Sequence, residues 1–205
     1  MSTFLAHDLL WGMTPQQLPV DAPAWAFESI SAGQPVVVRR ALSAPGQIAV
    51  GVRGRLREQR LAASMAVTAI TRRVRPEDLC DAVIDRDLAA VRALDQLRTM
   101  LDRSGRVWGI SGSAGFELAS GVQALHEGSD LDLILRTPQP LAREEARELL
   151  EIFDCAACRV DMQLQTPFGA VALREWASSS HRVMLKNVRE ACLVIDPWNP
   201  REHAA

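Results

Sequence analysis

The sequence predicts an α+β protein: a small β-containing module over residues 1–75, then a mixed sheet flanked by helices over residues 76–205. Three observations lead there. Pro15, Pro19, Pro23, Gly33, Pro35, Pro45 and Gly46 break up the first part, leaving room only for short elements. Within it, Val36–Arg40 and Gln47–Val52 are β-branched runs either side of a Ser-Ala-Pro-Gly turn, which is a hairpin signal. From Pro76 onward the apolar spacing switches repeatedly between helical and strand periods, the pattern of helices laid on a sheet.

Composition bounds the function. A chain of 205 residues that is 48% hydrophobic can bury one large core or two modest ones. No apolar run approaches the roughly 20 residues that span a bilayer. The start MSTFLAHDLL lacks the basic end and long apolar centre of a signal peptide, so a cytoplasmic location without a membrane partner is expected. A formal charge of -2 gives no reason to expect nucleic acid. Every basic residue except Lys186 is arginine. The planar guanidinium suits phosphate, but biased base composition in the genome accounts for most of that excess. Cys155 and Cys158 form a CxxC without a second pair or nearby histidines, and are read as small packing residues rather than a zinc or redox site. His7, His126, His181 and His203 are scattered and read as structural or exposed.

The hairpin's second run leads into Gly51-Val52-Arg53-Gly54-Arg55-Leu56-Arg57-Glu58-Gln59-Arg60. Arginines at this spacing after glycines suit an anion site as well as they suit a solvated turn. Leu61–Arg73 reads as helical at its start, with Ala62, Met65, Ala66 and Ala69 on the buried face, although Val67–Thr71 favours a strand. Proline followed by acids at Arg75-Pro76-Glu77-Asp78 opens a helix. Leu88, Val91, Leu94 and Leu97 then mark an amphipathic one, stopped at Ser104-Gly105.

Val107–Ile110 is a strand, and a helix from Ser113 to Gln123 follows the Gly112-Ser113 turn. Glycine there lets backbone N–H groups approach phosphate at a helix start. The next strand carries Asp130 and Asp132 among Leu131, Leu133, Ile134 and Leu135. Residues two apart on a strand share a face. Adjacent carboxylates repel and are costly to desolvate unless a cation neutralises them. Magnesium, held by one or two carboxylates plus substrate phosphates, is the cation that fits. Residues 142–153 read as a helix with Glu144, Glu145 and Glu148 facing water. Arg159–Leu164 alternates as a strand with Asp161 in its middle, a third acid where a structural strand would rarely place one. Residues 172–177 form a short helix, and His181–Lys186 and Ala191–Ile195 a terminal hairpin turning at 187–190, with Lys186 near the turn.

This order of strand, Gly-Ser, helix, Asp-x-Asp strand, helix and single-Asp strand resembles the nucleotidyltransferase superfamily typified by DNA polymerase beta. A closer resemblance spans nearly the whole chain. It is carried by His7-Asp8-Leu9-Leu10-Trp11, Gly51-Val52-Arg53-Gly54 with Arg57 and Arg60, Arg75-Pro76-Glu77-Asp78-Leu79, GSAGFELASGVQALHEGSDLDLIL and Asp196-Pro197-Trp198. Together these are similar to the family of malonate decarboxylase holo-acyl carrier protein synthases, the phosphoribosyl-dephospho-CoA transferases. The resemblance implies 2'-(5''-triphosphoribosyl)-3'-dephospho-CoA as donor and a serine of the apo acyl carrier protein subunit of malonate decarboxylase as acceptor, with release of pyrophosphate. From the acids themselves, Asp130 and Asp132 are expected to hold two magnesium ions, with Asp161 completing the site for the metal nearer the nucleophile. Gly112, Ser113 and Gly115, with Arg53, Arg57, Arg60 and Lys186, are the phosphate-binding candidates. Two rival readings stand beside it: an enzyme that adenylylates another protein or a small molecule, and a non-catalytic relative that only binds the carrier.

Overall fold

A computed structural model describes residues 4–56 and 58–200. The proline-punctuated first part forms β1 (Leu9–Trp11), α1 (Ala24–Ser31), β2 (Val36–Val38), β3 (Gln47–Arg53), β4 (Arg60–Ala66) and β5 (Arg72–Val74). These strands make an antiparallel sheet in the order β4-β3-β2-β1-β5. Because side chains alternate across a strand, the sheet has two distinct faces. Leu10, Val36, Val38, Val50, Val52 and Met65 form one, a core closed by Ala26 and Ile30 of α1. Leu9 and Val74 point the other way and join the core of the second unit.

One expectation fails here. Arg60–Ala66 is not helical but a strand, paired with β3 from Gln47↔Ala66 to Arg53↔Arg60. Alanine favours a helix only weakly, and seven consecutive cross-strand pairs outweigh that preference. Pro76–Leu79 is a single 3-10 turn rather than the start of an α-helix.

The second unit runs α2 (Ala89–Arg103), β6 (Trp108–Ile110), α3 (Gly112–Ser120), β7 (Leu131–Arg136), α4 (Arg143–Asp154), β8 (Val160–Thr166), β9 (Gly169–Ala172), α5 (Leu173–Ala177), β10 (Val183–Lys186) and β11 (Ala191–Val194). Its sheet has the order β11-β10-β9-β8-β7-β6. Only β7 and β8 run parallel, with α4 as the crossover between them. The predicted α+β architecture, a β-containing module followed by a mixed sheet flanked by helices, is the one observed.

Alternation again divides the faces. Leu131, Leu133 and Leu135 of β7, with Val160, Met162 and Leu164 of β8, are buried in one core with Val91, Leu94, Leu97 and Leu101 of α2. The opposite face carries three registered pairs: Asp132↔Asp161, Ile134↔Gln163 and Arg136↔Gln165. That stripe faces the first sheet, because Arg40, just beyond β2, donates to Gln165 Oε1 at 2.6 Å and to Gln163 Oε1 at 3.4 Å. No helix among the described residues is long and apolar enough to cross a membrane.

Candidate active site

The site is built where the polar stripe of β7 and β8 meets the start of α3. Asp132 and Asp161 are register partners on neighbouring parallel strands, which places their side chains side by side on one face. Gly112 opens α3 at a left-handed φ of 60°. A Cβ at that position would stand 1.9 Å from Asp132 Oδ2, so only glycine lets the helix start lie against this carboxylate. Ser111 N–H fixes the approach from the other side by donating to Asp132 C=O at 2.9 Å. Gly115 is constrained too, since its Cβ would meet Ile110 C=O at 2.5 Å.

Asp161 Oδ1 accepts from Arg159 Nε at 3.0 Å, and this pair is largely exposed. Asp130 lies one residue ahead of β7, half-buried, and its charge is felt at the Arg159 guanidinium. Among the described residues no three His, Cys, Asp or Glu side chains gather closely enough to hold a metal ion, so the expected three-carboxylate cluster is not assembled. The remaining donor set, a registered carboxylate pair beside a helix start, still fits magnesium, which takes one or two carboxylates and completes its shell with substrate phosphates and water.

The first sheet reaches this point through Arg53. Its Nη2 donates to Ser113 Oγ at 2.8 Å and to Ala124 C=O at 3.3 Å, and the guanidinium lies over the Phe116 ring at 5.2 Å. Burial pushes Arg53 down to about 10, with Arg60 adding to the effect, while Asp132 and Glu117 pull the other way. Arg60 faces Arg53 across the β3–β4 pair, exposed, and donates to Leu56 and Gln59 C=O. Arg57 lies outside the described residues. Lys186 is not brought to the site. It sits in register with Ala170, which pairs with Gln165, two strands away from β8 and four residues along from Asp161. At about 4.8 Å per strand and 3.3 Å per residue its Cα is more than about 10 Å from that of Asp161.

Several site-shaping residues escaped the sequence reading. Glu117 is buried on α3, ion-paired with Arg86 at 2.8 Å, and its Oε2 accepts from Ala124 and Leu125 N–H. Burial works against its charge, yet those amides and Arg86 hold the carboxyl below its ordinary range. Glu117 thereby folds back the loop that delivers Asp130, and α3 ends at Gly121, short of the expected Gln123. An acid inside the apolar run Phe116–Ala119 was the signal for it. His7, at a left-handed φ of 77°, lies within 3.4 Å of Arg40. Burial first, and then Arg40, push His7 down to about 4, so it is neutral at pH 7. Gln163 and Gln165 were legible too, as polar positions continuing the alternation that Asp161 begins.

A helix N-terminus against an acid pair on a mixed sheet, served by a half-buried arginine, is an arrangement suited to a phosphorylated substrate, as a group-transferring enzyme would need. The chain also matches two family descriptions, the "Phosphoribosyl-dephospho-CoA transferase MdcG C-terminal domain" over residues 78–197 and the "MdcG N-terminal domain" over residues 5–76. It is 67% identical over 205 residues to a phosphoribosyl-dephospho-CoA transferase of Pseudomonas fluorescens, covering 100% of both chains. It is 55% identical to one from Pseudomonas putida, again over 100% of both, and 54% identical to one from Azotobacter vinelandii over 97% of this chain and 95% of the other. The chain belongs to the phosphoribosyl-dephospho-CoA transferase family and is a transferase. No solved structure matches it.

Proposed function

We propose that the chain transfers the phosphoribosyl-dephospho-CoA group from 2'-(5''-triphosphoribosyl)-3'-dephospho-CoA to a serine of the apo acyl carrier protein subunit of malonate decarboxylase. The observation that carries the chemistry is the registered Asp132–Asp161 pair held against the Gly112 helix start. Family membership over nearly the whole chain carries the substrate class.

In this reading the serine Oγ attacks the phosphorus nearest the ribose. A new Oγ–P bond forms, the P–O bond to the outer two phosphates breaks, and they leave as pyrophosphate. Asp161 lies at the exposed end of the acid pair, where an incoming hydroxyl can reach it, and takes the serine proton. Asp132, braced by Gly112 and Ser111, marks where the reacting phosphate sits. The N–H groups at the start of α3, with Ser113 Oγ and Arg53, hold the departing phosphates. Asp132 and Asp161 would hold magnesium, which when bound offsets the polyphosphate charge and favours in-line displacement. The exposed Arg159 exchanges Asp161 for substrate phosphate as the site fills.

The test is pyrophosphate release. Mixing the protein with donor, magnesium and apo-carrier should yield pyrophosphate and a carrier heavier by one phosphoribosyl-dephospho-CoA group. Transfer of AMP from ATP in place of that group would establish the adenylylating alternative. No transfer from either donor would leave a carrier-binding protein.

A further inference from the structure

Beside the acid pair, the first sheet faces the start of α3 across a cavity of about 460 Å³, and the reaction as described uses only its Arg53 end. Its volume falls among those that take small molecules and cofactors, about 300–1,000 Å³. The registers show how it is made. Leu9↔Val37, Val37↔Gly51 and Gly51↔Ala62 run as one transverse row across four strands of the first sheet, on the face turned to the second unit. Two of the four residues are glycine and alanine, so the row leaves a depression instead of a packed layer. The opposite wall is Pro76, Leu79, Ile110, Gly112 and Phe116. Both walls are apolar over their centre.

Positive charge lies at both ends of this apolar floor. Two residues along from the row on one side stand Arg53 and Arg60, a cross-strand pair, with Arg53 bonded to Ser113 at the start of α3. Two residues along on the other side stands Arg39, with the neutral His7 also lining that space. Arg39 N–H bonds Ala49 C=O, so four residues of β3 separate the two basic ends, about 13 Å. A cavity cationic at each end and apolar between fits a ligand whose flat, weakly polar middle carries phosphates on two sides.

We propose that this cavity seats the adenosine of the donor. The base and ribose lie on Leu9, Val37, Gly51 and Ala62, the triphosphoribosyl arm leaves past Arg53 and Arg60 toward α3, and the 5'-diphosphate leaves past Arg39. The proposal rests on the donor assigned above and adds that the first sheet recognises it. His7, held neutral, presents an imidazole that can donate or accept a hydrogen bond with the base.

The experiment is equilibrium binding of 3'-dephospho-CoA to the full chain by calorimetry, with ADP and pantetheine as competitors. ADP should compete and pantetheine should not. Ala62→Trp, at an exposed position on β4, should weaken binding at least tenfold by filling the floor. Gly51→Val should do the same from β3, where a new Cβ meets the Arg39 side chain at 3.5 Å and Val37 C=O at 3.9 Å, both ordinary contacts. Arg39→Ala should weaken dephospho-CoA and ADP but leave adenosine unchanged. Unchanged dephospho-CoA binding in both filled variants, or competition by pantetheine in place of ADP, would overturn the assignment. Those results would leave the transfer reaction standing. Conversely, tight dephospho-CoA binding with no pyrophosphate released from the full donor would remove the reaction and keep the seat.

Discussion

The two sheets present opposite chemistry to the space between them. The six-stranded sheet offers Asp132 and Asp161, anchored by in-register parallel pairing and by a glycine that nothing larger can replace. The five-stranded sheet offers Arg39, Arg53 and Arg60 around a row of small residues. The first arrangement is rigid and suits the reacting atoms; the second is a lined depression and suits recognition. Arg53 donating to Ser113, and Arg40 donating to Gln165, tie them together. If chemistry and recognition are divided between the units as proposed, substitutions should separate into two kinds.

The sharpest separation is expected at Asp132. Asp132→Asn should lower the single-turnover rate of transfer on the order of 10³-fold or more while leaving the melting temperature within a degree or two. Asp130→Asn, outside the registered pair, should cost distinctly less in the same assay. Next comes Gly112→Ala. Its Cβ would displace the Asp132 carboxylate and strain a left-handed φ, so a loss of about 10²-fold in kcat is expected. A lower melting temperature should accompany it.

Recognition substitutions should show in KM. Arg53→Ala removes a hydrogen bond to Ser113 from a charged donor, worth about 1.5–3 kcal/mol. The KM for the donor should rise about 10–100-fold, with kcat falling less. An equal fall in kcat with unchanged KM would move Arg53 from recognition to chemistry.

The pattern of what was legible follows from the same division. Alternation along β7 and β8 exposed the acids and their shared face, because a strand's period of two is written directly in the sequence. The hairpin of β2 and β3 and the amphipathic α2 were legible for the same local reason. β4 was not: Leu61–Ala66 is alanine-rich, and its strand state comes from pairing with β3. Arg40 reaching Gln165 joins residues 125 apart in sequence, a contact no local spacing encodes. Lys186 misled as the sole lysine, whereas its strand lies at the far side of the sheet. Asp161 pairs in register with Asp132, but its bond to Arg159 was hidden by their closeness on one strand.

The smallest effect is on stability. His7 is held at about 4 against an ordinary 6.5, so between those values the folded chain binds fewer protons than the unfolded one. Stability therefore rises with pH across that window and is lost as pH falls from 6.5 toward 4. The depression corresponds to a few kcal/mol, on the order of 3. His7→Gln should flatten that part of the denaturation profile while leaving the melting temperature near pH 8 little changed. An identical acid limb in the variant would assign the loss to other groups.

The most direct test of the acid pair is a double-variant comparison of single-turnover transfer to apo-carrier, using Asp132→Asn, Asp161→Asn and both together. If the two carboxylates form one site, the double variant should be no slower than the slower single variant. Losses that multiply would show two independent residues and contradict the account.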